Sequence, residues 1–243
     1  MANEQYIMNK LSQALDTLDT TDNILTRIFY VPKLFRNLVK SFDIDHFERQ
    51  IISLDPTTIH DSIVFLGEEY HQQRLLPASR FFKTSKLPLP YWAKYIQYHI
   101  LSRMYHESAF GWGIELFWSP RRNASLGEHF DNDDVYTIQI YGTKRWVIDP
   151  PDLDRLTRLD KKGKISRQGP YDAWVRNNKK KPVRFLKPNV IIMNPGDFLA
   201  VPCFSLHKVT THTLGRNLSI NASVCQEQRY NQPSKIGYYN NSK

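Results

Sequence analysis

Three side chains in two short segments could hold one metal ion. In LGEHFDNDDVYTIQIYGTKRW, His129 and Asp131 stand two positions apart. Residues two apart in an extended chain point to the same face, so an imidazole and a carboxylate converge. In NPGDFLAVPCFSLHKVTTHT, Pro195-Gly196-Asp197 makes a tight turn, residues 198–201 read as a strand, and His207 opens the next strand. Two imidazoles and one carboxylate are the donor set of non-heme Fe(II) centres, which leave coordination positions open for a co-substrate and O₂. His212 competes with His207, but an odd offset of five sends it to the opposite strand face, where a structural or exposed place is expected.

A cation belongs to the same constellation. Gly142-Thr143 can turn the chain between strands at 135–140 and 145–149, so Lys144 begins the returning strand beside the proposed metal site. With Val135, Thr137 and Gln139 facing inward, Lys144, Trp146 and Ile148 form the opposing inward set across this hairpin. A cation inside an apolar barrel needs an anion, and a dicarboxylate co-substrate would supply it.

HFDNDDVYTIQIYGTKRWVIDPP followed by PGDFLAVPCFSLH resembles the JmjC family of Fe(II)- and 2-oxoglutarate-dependent oxygenases, particularly its small asparaginyl-hydroxylase-like and bacterial ribosomal-oxygenase-like members. The ordered set HxD, GxKRW and PGDxxxxPxxxxH carries the resemblance over residues 114–225. It implies His129, Asp131 and His207 as iron ligands, and Lys144 as partner of the distal carboxylate of 2-oxoglutarate. It also implies Asn221 as a co-substrate contact from the inner face, with Thr137 beside it. Alternation agrees, because Leu218, Ile220, Ala222 and Val224 fall on one side and Ser219, Asn221 and Ser223 on the other. Two departures stand out: Leu126 occupies the place of a hydroxylated family residue, and Ser205-Leu206 replaces the aromatic pair before the second histidine.

The elements that position these residues change character along the chain. Residues 1–113 read as a mainly helical region packing on the core, with one amphipathic face at Tyr6, Ile7, Leu11, Leu15 and Leu18 and further helices at 45–54 and 91–104. Tyr91, Trp92, Tyr95 and Tyr98 are expected in the core of a helix covering the barrel. From Ile114 the texture turns to short strands at 114–118, 135–140, 145–149, 190–193, 198–201, 206–211 and 218–224. The expected architecture is mainly β with flanking helices (α+β): a double-stranded β-helix or jelly roll, JmjC/cupin-like, over 114–225, with a tail at 226–243.

Composition bounds the rest. The 243 residues are 41% hydrophobic and 23% charged, enough for a sizeable core and unlike a disordered or fibrous chain. The opening MANEQYIMNKLSQALDTLD has polar breaks where a signal peptide needs an apolar run, and no stretch is apolar enough to span a bilayer. A soluble cytoplasmic protein without a membrane partner is expected. Cys203 and Cys225 make no disulfide framework and are expected to be reduced and buried. The net charge of +9 is local: residues 152–187 hold seven Lys and five Arg against four Asp. This basic insert, with Lys161, Lys162, Lys164, Lys179, Lys180 and Lys181, is either a solvated loop or a guide for an acidic partner such as RNA. Within it, Tyr171 and Trp174 either stack on a base or pack the insert to the barrel.

The resulting expectation is an Fe(II)- and 2-oxoglutarate-dependent dioxygenase that hydroxylates an unactivated C–H bond of a protein or peptide side chain, with O₂ as oxidant. Retention of Asp131 argues against halogenation. The alternatives are a hydroxylase of a small molecule or free amino acid, a demethylase of N-methyl-lysine, and a non-catalytic cupin-like metal protein that binds nucleic acid through its basic insert.

Overall fold

The computed structural model describes residues 4–53 apart from 19, 22 and 23, the segments 63–65 and 79–81, residues 89–104 and 109–119, and 127–152 apart from 132. It also describes isolated positions between 155 and 176, including the strands 165–167 and 174–176, and 184–226 apart from 213 and 214. Among the described residues the helices are α1 (Glu4–Asp16), α2 (Arg36–Val39), α3 (Ile44–Ile52) and α4 (Tyr91–Met104). Helix α3 starts at Asp43, whose carboxylate accepts the His46 amide at 2.9 Å and so satisfies one orphan donor of the first turn. Helix α4 buries Ala93, Ile96, Ile100, Leu101 and Met104, the three-and-four spacing of one apolar face.

The strands are β1 (Thr20–Thr21) and β2 (Ile24–Leu25), which form a small ribbon, then β3 (Phe29–Val31), β4 (Ile63–Phe65), β5 (Ser79–Phe81), β6 (Ala109–Ser119), β7 (Glu128–Phe130), β8 (Asp134–Tyr141), β9 (Lys144–Ile148), β10 (Ile165–Arg167), β11 (Trp174–Arg176), β12 (Asn189–Met193), β13 (Phe198–Val201), β14 (Leu206–Thr211) and β15 (Asn217–Gln226). They build two antiparallel sheets: seven strands in the order β3-β13-β8-β15-β6-β5-β4, and six in the order β10-β11-β7-β14-β9-β12. This is the mainly β, double-stranded β-helix core with flanking helices that the strand texture indicates.

Strand alternation gives the larger sheet two unlike faces. Leu116, Tyr136, Ile138, Phe198, Ala200, Leu218, Ile220, Ala222 and Val224 lie on one face and form a single core with α1, α3 and α4. The other face looks across at the smaller sheet, where Val135, Leu199 and Val201 meet Trp146, Ile148 and Met193. Gln97 of α4 fastens helix to sheet, its amide donating to the carbonyls of Glu115 (3.0 Å) and Asn221 (2.8 Å). No helix among the described residues is long and apolar enough to cross a membrane.

Three expectations change. Strands β8 and β9 are not a hairpin: β8 pairs with β13 and β15 in one sheet, β9 with β12 and β14 in the other, so Gly142-Thr143 is a corner between sheets. The inward faces are as expected, because a crossing corner keeps the same alternation as a hairpin. The corner is tight. Gly142 has φ +69, and a β-carbon there would collide with the Arg216 carbonyl. Short strands also arise before residue 109, with β3 on β13 and β5 on β6 extending the larger sheet. Tyr91 and Tyr98 are 66% and 65% exposed, so only Trp92 and Tyr95 of that aromatic group pack on the core.

Candidate metal centre and co-substrate cavity

His129 lies on β7 and His207 on β14, directly opposite each other in the antiparallel ladder, so both imidazoles rise from one face. Their ring centroids are 4.2 Å apart. Asp131 follows β7 and closes the group, its carboxylate oxygens 3.7 Å from His129 Nε2 and 3.4 Å from His207 Nε2. One donor atom from each of the three residues falls within 4.8 Å of the others. The turn before β14 is held where Phe204, at φ +61, donates its amide to the Asp131 carbonyl at 2.7 Å. A non-glycine residue in that conformation is strained, and here the strain sits between two candidate ligands.

The hydrogen bonds of the imidazoles test whether a metal fits. His129 Nδ1 is 3.1 Å from the Gly127 carbonyl and His207 Nδ1 is 3.0 Å from the Ser205 carbonyl. A carbonyl only accepts, so both Nδ1 atoms carry a proton and both Nε2 atoms are turned toward the carboxylate, the arrangement of metal-binding histidines. Burial, and then the neighbouring His129, push His207 down to about 4, which keeps it neutral at pH 7. Trp146 stacks on His207 at 5.6 Å and 28° and fixes the ring plane. Two imidazoles and one carboxylate within reach of one ion suit Fe(II).

Polar residues share the inward face with this group. On β9, Ile148 stands opposite His207 and Lys144 opposite Thr211, so Lys144 sits about 13 Å further along the same face at the usual strand rise. Lys144 is buried and donates to Ser219 Oγ at 2.5 Å, with its ammonium 5.4 Å from the centre of the Phe117 ring. Burial pushes its pKa down to about 7. Asn221 pairs with Thr137 on β8 and with Glu115 on β6, all three buried on this face. Thr137 Oγ1 and Asn221 Oδ1 have no hydrogen-bond partner among the described residues, and buried polar atoms of that kind call for a ligand or ordered water.

The structure thus brings together His129, Asp131 and His207, and buries Lys144, Thr137 and Asn221 on the inward face that the two sheets share. His212 is exposed and apart from them. Leu126, Tyr171 and the lysines 161, 164 and 179–181 lie outside the described residues. Ser219, Trp146 and Glu115 were not singled out from sequence as site residues. Ser219 was legible as part of the polar stripe of β15, whereas its pairing with Lys144 crosses from one sheet to the other and leaves no local pattern.

A family model described as a JmjC domain matches residues 94–230, more than half of the chain. Among curated proteins, the bifunctional lysine-specific demethylase and histidyl-hydroxylase NO66 of Drosophila melanogaster is 29% identical over 121 residues, covering 49% of this chain. The protein of that name from Drosophila sechellia is 28% identical over 121 residues, with the same 49% coverage. The chain spans only 16% of the length of each. Among solved structures, the non-heme α-ketoglutarate-dependent epimerase SnoN from nogalamycin biosynthesis shares the fold, with a TM-score of 0.51 and 9% identity over 92% of this chain and 84% of that one. YcfD, a ribosomal oxygenase from Escherichia coli solved with cobalt and 2-oxoglutarate, has a TM-score of 0.46 and 13% identity over 81% of this chain and 48% of its own.

Proposed function

On the premise that this chain belongs to the JmjC domain family, we propose that it is an Fe(II)- and 2-oxoglutarate-dependent dioxygenase that hydroxylates a C–H bond in a polypeptide side chain. The observation that carries this reading is the pair of Nε2 atoms turned on Asp131, with the buried ammonium of Lys144 on the same inward face. When bound, Fe(II) with 2-oxoglutarate and O₂ supplies the oxidising chemistry, releasing succinate and CO₂ as one oxygen atom enters the substrate.

The protein's own contribution is positional and electrostatic. His129, Asp131 and His207 would hold the metal on one face, their Nδ1 hydrogen bonds fixing tautomer and ring direction. Lys144, steadied by the Ser219 hydroxyl, would receive the distal carboxylate in a buried setting where a charge-assisted bond is strong. Thr137 and Asn221 offer the hydroxyl and amide that orient the dicarboxylate from the opposite wall. Asp131 is the most accessible of the three ligands, with 30% of its side chain exposed against 8% and 5% for the histidines, so substrate would approach from its side.

The name of the Drosophila relative joins two reactions on polypeptide side chains, histidyl hydroxylation and lysine demethylation, and this supports a protein or peptide substrate over a small molecule. The test is succinate formation from 2-oxoglutarate by protein loaded anaerobically with Fe(II) and then given O₂, with and without cell extract. Turnover in wild type that disappears in Asp131→Ala and needs far more co-substrate in Lys144→Ala is the expected result. Absence of both metal and 2-oxoglutarate binding would overturn the reading. Mass spectrometry of the substrate then separates gain of one oxygen from release of formaldehyde.

A further inference from the structure

The two sheets do not close on the side where β3 and β12 run. Each is the outer strand of its sheet among the described residues, and the Tyr30 phenol reaches between them, donating to Asp197 at 2.7 Å and standing 3.4 Å from the Ile192 carbonyl. The Ile192 carbonyl therefore points away from β9 into this seam. By the alternation of an antiparallel ladder, the N–H and C=O of Val190 and the N–H of Ile192 face outward with it, with no strand partner among the described residues. Two cavities follow the seam, of about 370 Å³ beside Ile28, Asn189 and Val190 and about 570 Å³ beside Lys33, Arg36 and Tyr141, and Tyr30 lines both.

Strand edges are normally blunted by charge, proline or a covering element. The β12 edge reads Asn-Val-Ile-Ile-Met, with Val190 53% exposed, and Leu186 just before it is 66% exposed. Its surroundings are cationic. Lys33, Arg36 and Lys40 line the larger cavity. The carboxylate lining it is Asp197, already engaged by Tyr30 and by the amides of Lys33 and Asn194 at 2.7 and 2.8 Å.

We infer that the β12 edge and the adjoining Lys33–Arg36–Lys40 cluster form a docking seam for an extended, acidic segment of polypeptide, which adds to β12 as a further strand. Main-chain bonds to Val190 and Ile192 would give affinity, and alternate side chains would meet the apolar floor and the cationic rim. The strand accommodates about five residues at the usual rise. A second copy of this chain fits poorly, since it would bring the same cations against these. A nucleic-acid backbone matches the charge but not the alternating donors and acceptors of a strand edge. Asn189 pairs with Ile148, which pairs with His207, so one end of the seam lies level with the candidate metal centre and about two strand spacings, roughly 10 Å, from it. Docking here goes beyond the proposed reaction and does not depend on turnover.

The experiment is fluorescence anisotropy with a labelled peptide of alternating glutamate and valine, together with amide hydrogen exchange. Binding is expected to weaken with salt, to slow exchange at Val190 and Ile192, and to persist in Asp131→Ala. It should fall at least about tenfold both in Val190→Pro, which removes an edge donor without breaking a ladder bond, and in the double variant Arg36→Glu/Lys40→Glu. Unchanged exchange at both amides, unchanged affinity in the charge-reversed variant, or equal binding of a lysine–valine peptide or of oligouridylate would overturn the inference. So would a dimer of the protein that Val190→Pro dissociates.

Discussion

Lys144 is a buried cation whose visible partners are a hydroxyl and an aromatic ring, and that fixes how it responds to pH. Folding depresses its pKa from 10.5 to about 7. The unfolded chain therefore binds more protons between these values, so the co-substrate-free protein gains stability as pH rises through this window, and the penalty is complete below about 7. A dicarboxylate needs the charged ammonium, so 2-oxoglutarate affinity should fall above about pH 7 and binding should take up protons. Calorimetry in buffers of different ionisation enthalpy reads that uptake. Lys144→Met should raise the melting temperature of the co-substrate-free protein, because a buried charge is replaced by an apolar side chain of similar length, and should abolish the thermal shift caused by 2-oxoglutarate. Ser219→Ala removes one hydroxyl from the ammonium and should weaken 2-oxoglutarate about fivefold, the worth of roughly 1 kcal/mol, with metal affinity unchanged.

At the scale of elements, the ends of the basic insert are fastened by one carboxylate. Asp149 accepts from Arg155 Nη1 at 2.5 Å and from the amides of Leu186 and Lys187 at 2.8 and 3.0 Å, while Arg155 also reaches the Arg184 carbonyl. Asp149→Ala would leave the buried Arg155 without its carboxylate, a loss of about 3–5 kcal/mol for a broken buried pair. Urea unfolding measures that loss, and proteolysis within 153–183 should quicken. Because the insert's strand β11 pairs with β7 next to His129, the same variant tests whether the insert steadies the metal-bearing strand. Much at this scale was legible in sequence. The polar and apolar stripes of β15 read correctly because a ten-residue strand shows its period, and α4 was bounded by Pro90 and its apolar spacing. The β8–β9 corner was not, since a glycine turn between two alternating strands looks the same whether they pair or part into two sheets. Strands β3, β4 and β5 have three residues each, too few to display a period, and they are called into the sheet by tertiary pairing.

The whole molecule is a layered object in which one strongly apolar sheet face is covered by helices from the first part of the chain. A fragment beginning at residue 109 would expose that face, and aggregation or dye binding in place of cooperative unfolding is the expected outcome. The sheet has a further consequence, in time rather than in space. Strand β15 is the last strand along the chain among the described residues, yet it lies in the middle of the larger sheet, between β6 and β8. During synthesis β6 and β8 leave the ribosome as two strands with no common neighbour, and wait until β15 emerges to join them. The last candidate metal ligand, His207, precedes β15 by only ten residues, so the metal-binding pattern and the stable interior should be completed almost together. Such long-range closure is slow and leaves edges open to wrong partners. The nascent chain should therefore depend on chaperones until β15 is in place, a dependence that chain arrest before and after residues 217–226 would reveal.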